Sequence, residues 1–135
     1  MKKDYLKIGD VIWVRLYSDG DHIQNGVRPA VIIQNNKGNR FSPTIQVVPL
    51  TSRKKKAKLP THVEIPANVA GLSKDSIAQC EGARPVSKSD ILGFIGIMPH
   101  AYMEKISIAS IINSPMIQFI SIECLTDIHE KIAVS

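Results

Sequence analysis

The chain has 135 residues, 44% apolar and 21% charged, with a formal net charge of +5. That balance is globular, neither disordered nor membrane-like, and no run approaches the ~18 apolar residues a membrane helix requires. Seventeen Lys and Arg against twelve Asp and Glu favour an anionic partner, while an aromatic content of 5% argues against recognition through many stacked bases.

Near the N-terminus, Asp4 and Lys7 interrupt the stretch where a signal peptide would be continuously apolar. Cys80 and Cys124 need no disulfide in a chain with a sizeable core and read as reduced thiols. The expectation is a cytoplasmic protein.

In chain order, DVIWVRL (10–16) alternates Val11, Trp13 and Arg15 with Ile12, Val14 and Leu16, which predicts a strand. YSDGDHIQNG (17–26) is polar and too long for a tight hairpin, so it predicts a mobile loop. VRPAVIIQ (27–34) is a near-continuous apolar run and predicts a strand buried on both sides, with Pro29 confining its start to an edge or bulge. NNKG then predicts a turn.

TIQVVPL (44–50) and THVEI (61–65) predict two more strands, the latter with Val63 and Ile65 inward and His62 and Glu64 outward. SIAQCEGARPV (76–86) predicts a fifth, interrupted at Gly82. Ser87 caps a turn with Asp90 at the capping-box position, and FIGI (94–97) makes a short last strand. Many short strands at close spacing, followed by one helix, imply a mainly β fold, a small barrel rather than a parallel α/β sheet.

Residues 99–112 predict that helix, with Pro99 in its first turn and Tyr102, Met103, Ile106 and Ala109 as its apolar stripe. Further on, Met116, Ile120, Cys124 and Ile128 recur every fourth residue and predict a second helix. Residues 1–113 are expected to form the main unit, with 114–135 as a C-terminal extension packed on it.

Metal chemistry finds no support in the residues. His22, His62, His100 and His129 are scattered, with no HxxxH, no CxxC and no paired carboxylates at ligand spacing. Cys80 reads as a small buried hydrophobe, and no glycine-rich phosphate loop is present. Arg28 is different: Pro29 restricts it to extended geometry, so its guanidinium is either an ion-pair partner at a barrel edge or a fixed phosphate grip beside the loop. LTSRKKKAKLP (50–60) is either a solvated basic loop or a cradle for a nucleic-acid backbone, with Thr51 and Ser52 offering hydroxyls at the strand end. Glu81 and Arg84, flanking Gly82, most simply pair with each other.

Together, GDVIWVRL, QNGVRPAVIIQNN, GNRFSPT, VVPLTSRKKKAKLPTHVEI and CEGARPVSKSDIL resemble the MazF/PemK family of bacterial toxins in order and spacing, over roughly residues 8–112. The resemblance implies a strongly bent, SH3-like β-barrel of the CcdB/PemK type, a homodimer, and a metal-independent, cofactor-free, sequence-specific endoribonuclease of single-stranded RNA. It further implies a cognate antitoxin whose acidic tail displaces the loop at 17–26. Carried over by position, Arg28 and Thr51 are the catalytic residues.

The same resemblance makes His22, Gln24, Asn25, Ser52, Arg53, Lys54, Lys55, Lys56, Lys58, Glu81 and Gly82 candidate RNA contacts. Two departures from the family pattern stand out. His22 and Ile23 replace a serine and an acidic residue, and Gly82 replaces a glutamine that often faces RNA bases. The rivals are a gyrase poison, an activity found in the CcdB branch of the same fold, and a non-catalytic RNA-binding barrel.

Overall fold

A computed structural model of the chain describes residues 5–17, 26–52 and 59–134. The alternation in DVIWVRL becomes strand β1 (Asp10–Leu16). Val11 enters one core layer, while Ile12, Val14 and Leu16 enter another. Strand β2 (Gly26–Ile32) is divided the same way: Val31 joins the first layer, and Ala30 and Ile32 join the second. A strand buried on both faces reads as a continuous apolar run, which is why VRPAVII lacks alternation.

The other strands are β3 (Thr44–Ser52), β4 (His62–Ile65), β5 (Ser76–Gln79), β6 (Arg84–Ser87) and β7 (Ile91–Ile97). Their order is β4-β5-β3-β2-β1-β7, with β6 also on β3, and every pairing is antiparallel. One edge of β3 changes partner along its length, from β6 at Thr44–Val47 to β5 at Leu50–Ser52. Pro49, which has no N–H to donate, sits at that change. Among the described residues these ladders form an open antiparallel sheet rather than a closed ring.

Helix α2 (His100–Asn113) lies on the first core layer and buries Ile106 and Ala109 against Val48, Leu50, Val63, Ala78 and Cys80. Two glycines permit a close approach between the loop after β4 and β7. Gly71 has φ +78°, and a Cβ there would stand 2.7 Å from the Ile95 carbonyl oxygen. A Cβ on Gly96 would collide with the Ala70 carbonyl.

Several expectations change in detail. NNKG opens a six-residue helix, α1 (Asn36–Phe41), rather than a simple turn. The Asn35 side chain caps it by accepting from Gly38 N at 2.8 Å, and buried Asn39 donates to the Gln34 carbonyl at 2.8 Å. The break in 76–86 comes earlier than Gly82, as a 3₁₀ turn over Cys80–Gly82. His62 is not outward: its side chain is only 7% exposed, because the Glu81 carboxylate draws it in.

Beyond α2 the periodic stripe does not make one helix. A 3₁₀ turn (Met116–Phe119) precedes helix α3 (Ile122–Ala133), and residues 111–134 are exposed throughout. No helix among the described residues is long and apolar enough to cross a membrane.

Candidate active site

Gly26, at φ +80°, turns the chain into β2, and Arg28 follows opposite Val14 of β1. On the other side the β2–β3 register pairs Ala30 with Pro49. Continued by two residues, that register brings Arg28 level with Thr51. Arg28 Nη1 donates to Thr51 Oγ1 at 3.4 Å, and Thr51 Oγ1 donates to Gln79 Oε1 at 3.3 Å. Gln79 is buried at the end of β5. The threonine hydroxyl thus has its proton directed to one neighbour and a lone pair directed to a guanidinium.

Arg84, the first residue of β6, is half-buried and donates from Nε to the Gly82 carbonyl at 3.1 Å. Burial pushes its pKa below the ordinary guanidinium value, and the charge of Arg28 pushes the same way. Two guanidiniums that feel each other's field make this part of the sheet locally positive.

Next to this pair, Glu81 accepts from Thr61 Oγ1 at 3.0 Å and meets His62 Nε2 at 2.7 Å. Partial burial raises the Glu81 pKa. Its bonds to its own backbone N–H, His62 and Thr61, with the His62 charge, outweigh that and hold the carboxyl below its usual range. The expected Glu81–Arg84 pair is therefore replaced: Glu81 turns to β4, and Arg84 Nε turns to the backbone of the intervening turn.

Of the other candidates, Ser52 is exposed beside Thr51 and opposite Ser76, and Gly82 lies on the 3₁₀ turn after Gln79. His22, Gln24, Asn25, Arg53, Lys54, Lys55, Lys56 and Lys58 lie outside the described residues. Cys80 is buried and donates to the Ile106 carbonyl at 3.8 Å, and burial pushes its thiol pKa up, which suits packing rather than nucleophilic attack. Among the described residues no group of three or more His, Cys, Asp or Glu converges as a metal site.

Sequence reasoning missed Gln79, and it missed Arg84 as a neighbour of Arg28. The available signal for Gln79 was a lone amide in the otherwise apolar run SIAQC.

The geometry defines an antiparallel-sheet protein in which two neighbouring guanidiniums lie beside a hydroxyl oriented by a buried amide. The chain belongs to the PemK/MazF family: the family described as PemK-like, MazF-like toxin of type II toxin-antitoxin system matches residues 7–112. Endoribonuclease EndoA of Bacillus subtilis is 40% identical over 114 residues, which cover 84% of this chain and 98% of that protein. Among solved structures, MazF of Deinococcus radiodurans superposes with a TM-score of 0.72 at 22% identity, covering 84% of this chain and 100% of that one. A mycobacterial endoribonuclease in complex with its cognate antitoxin gives 0.66 at 22% identity, covering 82% and 96%. At those identities the solved structures speak for the fold.

Proposed function

We propose that this chain is the toxin of a type II toxin–antitoxin pair, a sequence-specific endoribonuclease that cuts single-stranded RNA without a metal. The observation that carries the reading is the run of contacts from Arg28 through Thr51 to Gln79, with Arg84 close by. The match of the chain to EndoA supports the activity. The cognate antitoxin in the mycobacterial complex supports a protein inhibitor.

In this mechanism the 2′-hydroxyl attacks the adjacent phosphate and the P–O5′ bond breaks. The products are a 2′,3′-cyclic phosphate and a 5′-hydroxyl. Arg28 holds the non-bridging oxygens as their charge develops, and Thr51 donates to the same group by exchanging Gln79 for phosphate. Arg28 is not the base, because a guanidinium has a pKa above about 12. Its contribution is electrostatic, and removing one such oriented donor typically costs about 10²–10³ in rate.

Under the same reading the bent sheet acts as the family's barrel, two copies form a homodimer in the cytoplasm, and the antitoxin's acidic tail covers the Arg28 site. Residues 1–113 make the enzyme unit and 114–135 an appended extension. The test is incubation of wild type and Arg28→Ala with a long, sequence-diverse RNA in EDTA, followed by mapping of the 5′ ends. Recurring cuts at one short motif, absent with the variant, are expected. Intact RNA with antitoxin-free wild type would refute the nuclease.

A further inference from the structure

Helix α2 is apolar on two sides. Its inner side buries Ile106 and Ala109, yet Ile108, Ile111 and Ile112 are exposed on its outer side, Ile108 by 54%. A surface helix ordinarily turns polar residues to water, and a helix that is apolar all round is one covered on both sides. Beside Ile108 a groove of about 500 Å³ lies between α2 and β4. Pro60, Val63 and Ala109 line it, with Glu64 and Lys105.

The same chain carries a second surface of this kind. In α3, Ile122, Leu125, Ile128 and Ile132 recur three or four residues apart and all are exposed, Ile122 by 82%. Glu123, Asp127 and Glu130 recur at the same spacing on the opposite side. Such a helix is patterned to lie on an apolar partner. Its 12 residues span about 18 Å, close to the roughly 21 Å of α2 with its 14.

Within one chain the two surfaces do not cover each other. Pro115 opens the 3₁₀ turn at Met116–Phe119, extended backbone follows at Ile120 and Ser121, and α3 is left exposed along its length. Charge indicates where it goes. The extension 114–135 holds three carboxylates and one lysine, net −2, in a chain of +5, so the residues before it carry +7. One α3 is therefore attracted to the body of another copy, whereas pairing α3 with α3 sets −2 against −2.

We infer that α3 of one copy lies along the outer side of α2 in a second copy, over the α2–β4 groove, and that the exchange is reciprocal. A twofold exchange covers both apolar surfaces of both chains, the self-complementary arrangement that closed symmetry requires. Ile122, Leu125, Ile128 and Ile132 supply the knobs, and Ile108, Ile111 and Ile112 the seam they enter. Because α3 lies beyond the family match, which ends at residue 112, this contact is additional to any homodimer formed by the matched residues. Neither it nor its test depends on the nuclease reading.

The test uses the full chain and two variants at exposed positions, Ile108→Glu on α2 and Leu125→Glu/Ile132→Glu on α3. In sedimentation over a dilution series, each variant is expected to move a wild-type association midpoint at least about tenfold to higher concentration, since each loses buried aliphatic surface. Mixing the two variants recovers part of the shift, because one intact α3 then meets one intact groove. A midpoint unmoved by either variant overturns the inference. So does a shift in the α3 variant alone, which marks α3 pairing with α3.

A second measurement needs no substitution. Cys124, the exposed thiol on α3, is labelled with a photocrosslinker, while Cys80 is buried. In a mixture of isotopically light and heavy chains, crosslinks are expected from α3 of one copy to residues 59–64 and 105–112 of the other. Crosslinks confined within single chains would show α3 folding back on its own α2. That result, crosslinks between two α3 helices, or none to the groove would each overturn the exchange, even if Ile108→Glu failed to fold.

Discussion

Arg28 and Thr51 are 23 positions apart, and a single cross-strand contact joins them. Pro29, which constrains the residue before it, singled out Arg28 in the sequence, whereas Thr51 was picked out by the family resemblance rather than by its own surroundings. Gln79 was not, since nothing in SIAQC says which strand its amide will face. Gln79→Leu keeps the volume and removes the acceptor, so the Thr51 hydroxyl loses its orientation. A kcat loss of roughly fivefold is expected, with KM little changed, consistent with about 1 kcal/mol for one hydrogen bond. Steady-state kinetics separating kcat from KM checks this, and an unchanged kcat would remove Gln79 from the site. For Arg84→Ala the expectation is weaker RNA binding and a salt slope shallower by about one, read from affinities at several ionic strengths.

The Glu81–His62 contact has a pH signature whose sign can be worked out. The folded-state pKa of Glu81 lies below its ordinary value of 4.5, so its stabilising contribution is present above that value. The contribution is lost as pH falls from there through the folded pKa. Melting temperatures of Glu81→Gln and wild type should therefore converge as the pH drops below about 4.5. A gap that stays constant through that window would show that the carboxylate charge contributes nothing.

Strands and α2 could be read from sequence because each carries a legible pattern: alternation for β1, an unbroken apolar run for the doubly buried β2, and a helical stripe for α2. Helix α1 could not. Six residues are too short for a period, and what holds NKGNRF helical is the Asn35 side chain accepting from Gly38 N and the Asn39 amide donating to the Gln34 carbonyl and Asn36 Oδ1. The tail failed for a related reason. Met116, Ile120, Cys124 and Ile128 suggest one helix, yet extended backbone at Ile120 and Ser121 separates the 3₁₀ turn from α3 and splits the series.

Close packing between the loop after β4 and β7 gives a sharp test of the sheet's edge. Gly96→Ala has no room against the Ala70 backbone, so a loss of about 1–3 kcal/mol is expected in denaturant unfolding. A loss below about 0.5 kcal/mol, the range of an ordinary surface change, would mean that the loop yields freely. Ile106→Ala, under α2, should cost about 2–5 kcal/mol by leaving a cavity among Cys80, Val63 and Leu50.

Taken whole, the molecule is one sheet with a core layer on each face, α2 covering the first layer and α1 flanking the second. Residues 111–134 contribute no buried side chain to either. The family match stops at residue 112, and EndoA is almost wholly covered by the aligned 114 residues. A chain ending at Asn113 is therefore expected to unfold at nearly the same denaturant midpoint as the full chain and to keep its RNA cleavage. A marked drop in midpoint would mean that the extension supports the fold through contacts its exposure does not suggest.

Local chemistry was enough to define the strands, helix α2, the aim of Arg28 and the family itself. These depend on periodicity, on proline's restriction of its neighbour, and on the order of short motifs, all of which are written along the chain. The buried acceptor behind Thr51, the field between Arg28 and Arg84 and the turning of Glu81 to His62 arose only on folding. A period of two states which face a residue occupies but not which strand will lie opposite it, and each of these features is a contact between strands, turns or helices distant in sequence.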